Sequence, residues 1–527
     1  MRKGNNYINY LAVAVSFFTF LVYLKSLRND FVGWDDNFYV TSNPFIKSLD
    51  LNLLRWAFLK FYSYNWHPLT WLSHALDYAF WGLNPIGHHL TNNIFHSINT
   101  FLVVVLVFNL FNVWKSDSSN YTKFASDKEF SGVLMSVTCG LLFGIHPVHV
   151  ESVAWIAERK DMLYALFFLL SILFYIKCAN KIIRKNDNAG PSHIYLQKEY
   201  MLSLGLFVLA LLSKPMAITL PFVLLIFDYF PFRRIVSFKT FRTVFYEKIP
   251  FISFSIGSSI VTYFAQKSGH AIWDGFPFAY RMLVAARSIT AYIENLVFPV
   301  NLLPFYPYPR DASLLSIEYF GAIFFAVVVT LLCAYYNFKN RKLWLAVWLY
   351  YIITLVPVLG VVQVGGQFIA DRYLYLPSIG PFMLIGVLVE YLYNKTRHLY
   401  GGIANYAFSV VVGVVISLIL YFTFMQIGIW KNGIALWTYV IEKEPQKVLI
   451  AYYYRGGAFS KEGKYQEAID DYSNVITLNY QEYSRIYVDR GLVYLKIGKI
   501  GPALADFKKA CDLGDDFGCK ALRIYLK

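Results

Sequence analysis

A chain of 527 residues that is 57% hydrophobic and 19% aromatic but only 15% charged carries more apolar surface than a water-soluble fold of that length buries. Its mean hydropathy of +0.44 excludes an ordinary soluble enzyme. The formal charge of +15 does not mark a nucleic-acid surface, because Lys and Arg fall in short clusters between apolar runs, as an orientation signal does.

Eleven apolar runs predict transmembrane helices, at about 8–27, 93–113, 131–149, 162–178, 200–213, 215–230, 248–265, 315–336, 343–361, 374–393 and 403–427. Arg2 and Lys3 precede the first run, which lacks a small-residue cleavage site and therefore stays as a helix with a cytoplasmic N-terminus. The basic segments 177–199, 231–248, 337–342 and 394–400 then share that side. External loops fall at 28–92 and 266–314, and the stretch 280–300 of the second becomes an interfacial or re-entrant helix.

The tail changes character. Arg455-Gly456, Phe459, Gly463, Ala468 and Tyr472 recur 35 residues later as Arg490-Gly491, Tyr494, Gly498, Ala503 and Phe507, the small and aromatic positions of tetratricopeptide helix pairs. An odd number of spans places 431–527 outside the cytoplasm, opposite the N-terminus. Of the five cysteines, only Cys511 and Cys519 are placed to pair, and packing residues in a helical pair are the alternative.

Candidate chemistry gathers on the external face. Asp35 and Asp36 follow the first run, where adjacent carboxylates are costly unless solvated, paired or used; a juxtamembrane cap competes with a reaction centre. The same loop holds Trp66-His67-Pro68, His74, Asp77, His88 and His89, whose scattered spacing favours capping over a metal. His146, His149, Glu158, Arg159, Lys160 and Asp161 crowd a second external turn, where the charges either pair along a short helix or hold a phosphate. Lys214 either snorkels or meets an anionic headgroup, and Asp371, Arg372 and Tyr375 form either a structural clasp or a ligand contact. Acids and bases segregated on one face suit transfer of a group from a phosphate-bearing lipid: a carboxylate removes the acceptor proton while fixed cations stabilise the departing phosphate.

The strings WDDNFYVTSNPFI, WHPLTWLSHALDYAFWGLNPIGHHLTNNIFH, GIHPVHVESVAWIAERKD, LSKPMAITLPFVLLIFDYFP and ADRYLYLPSIG resemble bacterial relatives of the transmembrane and tetratricopeptide repeat-containing proteins. That family is itself similar to the protein O-mannosyltransferases among the type C glycosyltransferases. The resemblance implies an enzyme that moves a sugar, with inversion, from a polyprenyl-phosphate donor to an acceptor hydroxyl such as protein Ser/Thr, with no metal or cofactor. It implies that one acid of the pair Asp35 and Asp36 is the general base, and that His146-Pro147, Ser152, Arg159 and Asp161 lie at the donor phosphate. Joined to the charges read above, this selects Asp35 as base supported by Asp36, with Arg159, Lys160, Lys214 and Arg372 on the donor phosphate. His146, His149, Glu158, Asp161, Asp371 and Tyr375 support them. Asp36 stands where those enzymes commonly have Glu, and their inserted sugar-binding-like domain is missing.

The expectation is an all-α polytopic protein of the cell inner (plasma) membrane, with a glycosyltransferase domain over 1–430 and an extracytoplasmic tetratricopeptide repeat domain over 431–527. Its partners are a polyprenyl-phosphate-linked sugar, the bilayer and an acceptor protein or glycan, with no nucleic acid. Two competing readings are a membrane scaffold that assembles an envelope complex through its repeats, and a polymerase or flippase for lipid-linked sugars.

Overall fold

The structure, a computed structural model, describes residues 2–116, 128–185, 192–269, 275–361, 365–445, 448–478 and 484–525. Parts of the basic segment 177–199 and of the external loop 266–314 lie outside the described residues. Every regular element among the described residues is a helix.

Six helices are long and apolar enough to cross a bilayer: Tyr7–Arg28, Pro85–Lys115, Ile156–Arg184, Ile249–Ser268, Ile317–Phe338 and Tyr406–Ile429. The bent pair Glu129–Ile145 and Pro147–Ala154 makes a seventh if counted as one span. Length and composition thus support multi-pass membrane residence, with six or seven crossings among the described residues against the eleven expected. The other four runs differ for local reasons. Lys214-Pro215 ends Lys198–Ser213 after 16 residues and separates it from Pro215–Tyr229. Lys342–Val358 is also short. The segment 394–400, expected to be a loop, carries no proline, and the helix runs through it unbroken over 51 residues, Ile379–Ile429.

Helix contacts are set by residue size. A Cβ on Gly140 would meet Val104 at 2.2 Å and one on Gly144 would meet Thr19 Oγ1 at 2.1 Å, so these glycines let Glu129–Ile145 close against its neighbours. The outermost helix is the reverse case. Only 6% of the apolar window in Tyr406–Ile429 is buried, which leaves its Val, Leu and Tyr side chains to hydrocarbon.

Beyond residue 430 six helices follow, Gly433–Lys443, Leu449–Lys461, Tyr465–Thr477, Ser484–Lys496, Ile500–Asp512 and Asp516–Tyr525. The 35-residue spacing reappears as geometry. Arg455 grips Asp471 with two bonds of 2.8 and 2.7 Å, and Arg490 grips Asp506 with two of 2.8 and 2.7 Å. In each pair a glycine admits the facing aromatic ring: a Cβ on Gly456 would meet Tyr472 at 3.0 Å, and one on Gly491 would meet Phe507 at 2.7 Å. Cys511 and Cys519 form a disulfide across the last helical turn-back.

This tail is fastened to the loop 28–92. Asp30 N–H donates to Lys431 C=O (2.8 Å), Lys461 Nζ donates to Asn37 Oδ1 (3.0 Å), and Val32 C=O abuts Gly433 closely enough that a Cβ there would sit 2.8 Å away. An aromatic ladder runs through the joint. Trp430 stacks on Trp155 (5.3 Å), Trp155 on Trp34 (4.5 Å), Trp34 meets Trp437 edge-on (5.0 Å), and Trp437 stacks on Tyr454 (5.2 Å).

Candidate functional site

Four interruptions of regular helix deliver charged side chains to one place. Gly33, at φ 75°, turns the first loop so that Trp34-Asp35-Asp36 faces inward. His146-Pro147 ends a helix with a 50° bend, and the extended Trp155 resets the chain before Arg159–Lys185 begins. Lys214 is extended because the proline after it disfavours helical backbone there. Ala370 is likewise extended and launches the turn Asp371–Leu374. Irregular backbone at this depth is tolerated where protein surrounds it, and Val150 through Asp161 are all buried.

Glu158 is the hub of the resulting cluster. Its Oε1 lies 2.9 Å from Lys160 Nζ and 3.3 Å from Arg372 Nε, and its Oε2 lies 3.5 Å from Lys214 Nζ. Arg372 also pairs with Glu151 through its guanidinium, and its backbone N–H donates to Glu151 Oε2 at 3.1 Å. Lys214 pairs with Asp161, which accepts from Ser152 Oγ at 3.1 Å. Aromatic faces wall the cations: Lys160 lies 4.6 Å from the Tyr39 ring, Arg372 4.8 Å from Tyr373, and Lys214 5.5 Å from Tyr373. Each ammonium has three donors. Lys160 spends them on Glu158, on Ala157 C=O (3.3 Å) and on the Tyr39 hydroxyl.

Asp35 faces this cluster. It makes no hydrogen bond among the described residues, and Lys160, Glu158 and Arg372 are the charges that act on it. Burial pushes its carboxyl above the usual range and Glu158 adds to that, while Lys160 and Arg372 pull the other way. Asp36 is employed differently. It is 1% exposed and accepts the N–H groups of Val32 and Ala157, each at 2.9 Å, so it ties the first loop to the turn before Lys160. Burial pushes its carboxyl up to about 7 against those two bonds.

Six of the candidate residues therefore converge: Asp35, Glu158, Lys160, Asp161, Lys214 and Arg372. Arg159 is not among them. It is fully buried and turned toward the first loop, with Nη2 2.6 Å from Asp77 Oδ2 and 2.8 Å from His88 C=O, Nη1 3.1 Å from Ser73 Oγ, and Nε on Asn92. Glu158 serves the other three cations and not Arg159. Adjacent positions on a helix point about 100° apart, which separates Arg159 from Lys160.

The remaining candidates hold the frame. His146 bonds Leu296 C=O at 3.1 Å; His149 bonds Phe143 C=O at 2.7 Å and Ser378 Oγ at 3.0 Å. Tyr375 bonds His96 at 2.7 Å and Asn99 at 3.2 Å. Asp371 accepts from Asn295 at 2.8 Å and Tyr306 at 3.1 Å, while Arg372 lies on Glu151 and Glu158. Glu151, Tyr39 and Trp155 were missed as cluster members. The signal for Glu151 was a third acid within the charged segment 146–161, where bases were already counted.

Among the described residues no group of three or more His, Cys, Asp or Glu is arranged to hold a metal ion. On the far side of the first loop, a cleft of about 770 Å³ opens between Gly33 and Asn37 and the tail, lined there by Tyr453, Lys461, Arg485 and Asp489. The arrangement can fix an anion on three cations while an unbonded carboxylate stands by to take a proton.

No family model matches the chain. It is 24% identical over 496 residues to a protein O-mannosyl-transferase of Caenorhabditis elegans, covering 91% of this chain and 64% of that protein. It is 24% identical over 517 residues to protein O-mannosyl-transferase TMTC1 of Homo sapiens, covering 87% and 54%, and 30% identical over 246 residues to tmtc2 of Xenopus laevis, covering 45% and 26%. The chain thus spans less than two thirds of the length of these relatives. Its homologues are TMTC-family protein O-mannosyl-transferases, at 24–30% identity.

Proposed function

We propose that the protein is a membrane glycosyltransferase that moves a sugar, mannose by the names of its relatives, from a polyprenyl-phosphate donor to a hydroxyl of a protein acceptor. The observation that carries this reading is the unbonded Asp35 carboxylate facing Lys160 and Arg372, with Lys214 joined to the same cluster through Glu158. Asp35 takes the proton of the acceptor hydroxyl as its oxygen attacks the sugar's anomeric carbon. The bond from that carbon to the phosphate oxygen breaks on the opposite face, which inverts the centre. Negative charge developing on the leaving phosphate is stabilised by the three cations, a role in which fixed donors need no rearrangement.

On this reading 1–430 is the catalytic membrane domain, and 431–527 is a tetratricopeptide-type domain of extracytoplasmic location in a bacterial inner membrane. The disulfide Cys511–Cys519 supports the oxidising side. The cleft beside Asn37 gives the acceptor a route from the repeats toward the loop of Asp35.

The test is transfer of labelled mannose from a polyprenyl-phosphate mannose to extracytoplasmic polypeptides by the purified full chain, read by intact mass. Transfer by the wild type and none by Asp35→Asn supports the reading. Equal glycosylation by both, or none by the wild type under conditions where it stays folded, overturns it.

A further inference from the structure

His67 is a group the mechanism leaves unused. It precedes Pro68 at the start of the helix Pro68–Trp81, is 4% exposed, and its buried Nδ1 makes no hydrogen bond among the described residues. Buried imidazole nitrogens are ordinarily satisfied, so an orphan of this kind needs an explanation.

Its position is tightly set. Thr70 Oγ1 donates to Ser213 C=O at 3.0 Å, which pins the helix to the residue before Lys214. Trp71, one turn on, lies 4.5 Å from the ring of Tyr39, the same ring that carries Lys160. The charged groups that bear on the His67 ring are Lys160, Lys214 and Glu158. Burial, joined by the two ammonium groups, holds the imidazole well below its ordinary pKa, so it is neutral and offers one N–H donor and one acceptor nitrogen. Neither lysine fills the acceptor, since Lys160 is held by Glu158 and Lys214 by Asp161. A neutral donor next to two cations is suited to an anionic oxygen that those cations also hold.

We propose that His67 is a donor-binding residue that gives an N–H hydrogen bond to an oxygen of the phosphate ester held between Lys160 and Lys214. The inference rests on the donor reading above and assigns His67 to the same phosphate.

The experiment is titration of the full chain in detergent with farnesyl phosphate and with farnesyl-phosphoryl mannose, followed by calorimetry, for the wild type, His67→Gln and His67→Phe. Gln keeps a donor and binds within about threefold of wild type, whereas Phe removes it and weakens binding about ten- to hundredfold, the range for a hydrogen bond to a charged group. The wild-type His67 ring nitrogen resonance, assigned by its loss in His67→Gln, shifts when farnesyl phosphate is added. That measurement decides the matter should the Phe variant fail to fold.

Unchanged affinity of a folded His67→Phe, or a ring resonance that ignores the saturating ligand, overturns the proposal while leaving the donor site intact. If the wild type binds neither farnesyl compound, the donor reading itself falls. If vesicles of phosphatidylglycerol displace farnesyl phosphate as well as the mannosyl compound does, the site reads headgroups generally and the sugar-phosphate assignment is overturned.

Discussion

Arg159 Nη2 lies 2.6 Å from Asp77 Oδ2, with both side chains buried, and the pair staples the start of one membrane helix to the helix Pro68–Trp81 of the first loop. The guanidinium fork spends its donors on Asp77, His88 C=O, Ser73 and Asn92. Lysine cannot reproduce that fork. Arg159→Lys is therefore expected to destabilise the protein by about 3 kcal/mol, within the range for breaking a buried pair, while the enzyme that remains folded keeps its donor KM. Thermal unfolding in detergent and steady-state kinetics check this, and a KM rise of tenfold or more would return Arg159 to the phosphate.

Arg372 is expected to behave in the opposite way. Removing it leaves Glu151 and Glu158 short of a cation in a buried site, and Arg372→Met is predicted to cost about 3–5 kcal/mol and all detectable transfer. Adding Glu151→Gln restores much of the stability without restoring activity. Recovery of both in the double variant would make Arg372 a structural residue only.

The pH profile follows from Asp35. A base works ionised, and burial raises the carboxyl, so activity falls as pH drops through a value above the ordinary carboxylate range of about 4. Lys160 and Arg372 oppose that rise. Removing positive charge must push the carboxyl higher still, so the acid limb of kcat/KM in Lys160→Gln moves to higher pH. A limb that stays put, or moves down, contradicts Asp35 as the base. Asp35→Asn removes the limb and about 10²- to 10⁴-fold of kcat.

In the tail, Arg455 and Arg490 make the same forked contact 35 residues apart, each about four-fifths covered. Replacing either by Ala is expected to cost a similar 1–3 kcal/mol, the range for bonds to charged groups. Double-mutant cycles with Asp471 and Asp506 should return matching coupling energies. A cycle near zero for one pair would break the equivalence of the two units.

The disulfide closes a loop of sequence separation 8, for which chain entropy gives about 2–3 kcal/mol. Cys511→Ser with Cys519→Ser is expected to lose that much from the last two helices. In intact cells an impermeant thiol reagent should label the pair only after reduction, and labelling solely after lysis would place the tail in the cytoplasm.

Much of the site was legible because burying charge is costly and selection of residue type shows through it. Asp35, Lys160, Lys214 and Arg372 stand out as charges beside apolar runs, and the Arg-Gly repeats stand out because the same contact demands the same spacing. Direction was not legible. Arg159 and Lys160 are adjacent in sequence, and only the fold separates them. Nor was pairing across distance: Arg372 and Glu151 are 221 residues apart. Span number was not legible either, since the apolar runs over Lys198–Ser213 and Pro215–Tyr229 read as two full crossings while each helix stops short at the extended Lys214 and the proline after it.

The ladder from Trp430 to Tyr454 has a consequence for anyone who would swap parts of this molecule. The strand of chain bearing Asp35 has Trp155 on one flank and Trp437 on the other, with Lys461 latched to Asn37 two positions beyond the acid. The tail is thus not a separable module, and it acts as a keystone for the loop that bears Asp35. A chimera carrying foreign repeats has to import Trp437, Tyr454 and Lys461 with them, or Asp35 will drift from Lys160 and Arg372 even when every cation is in place.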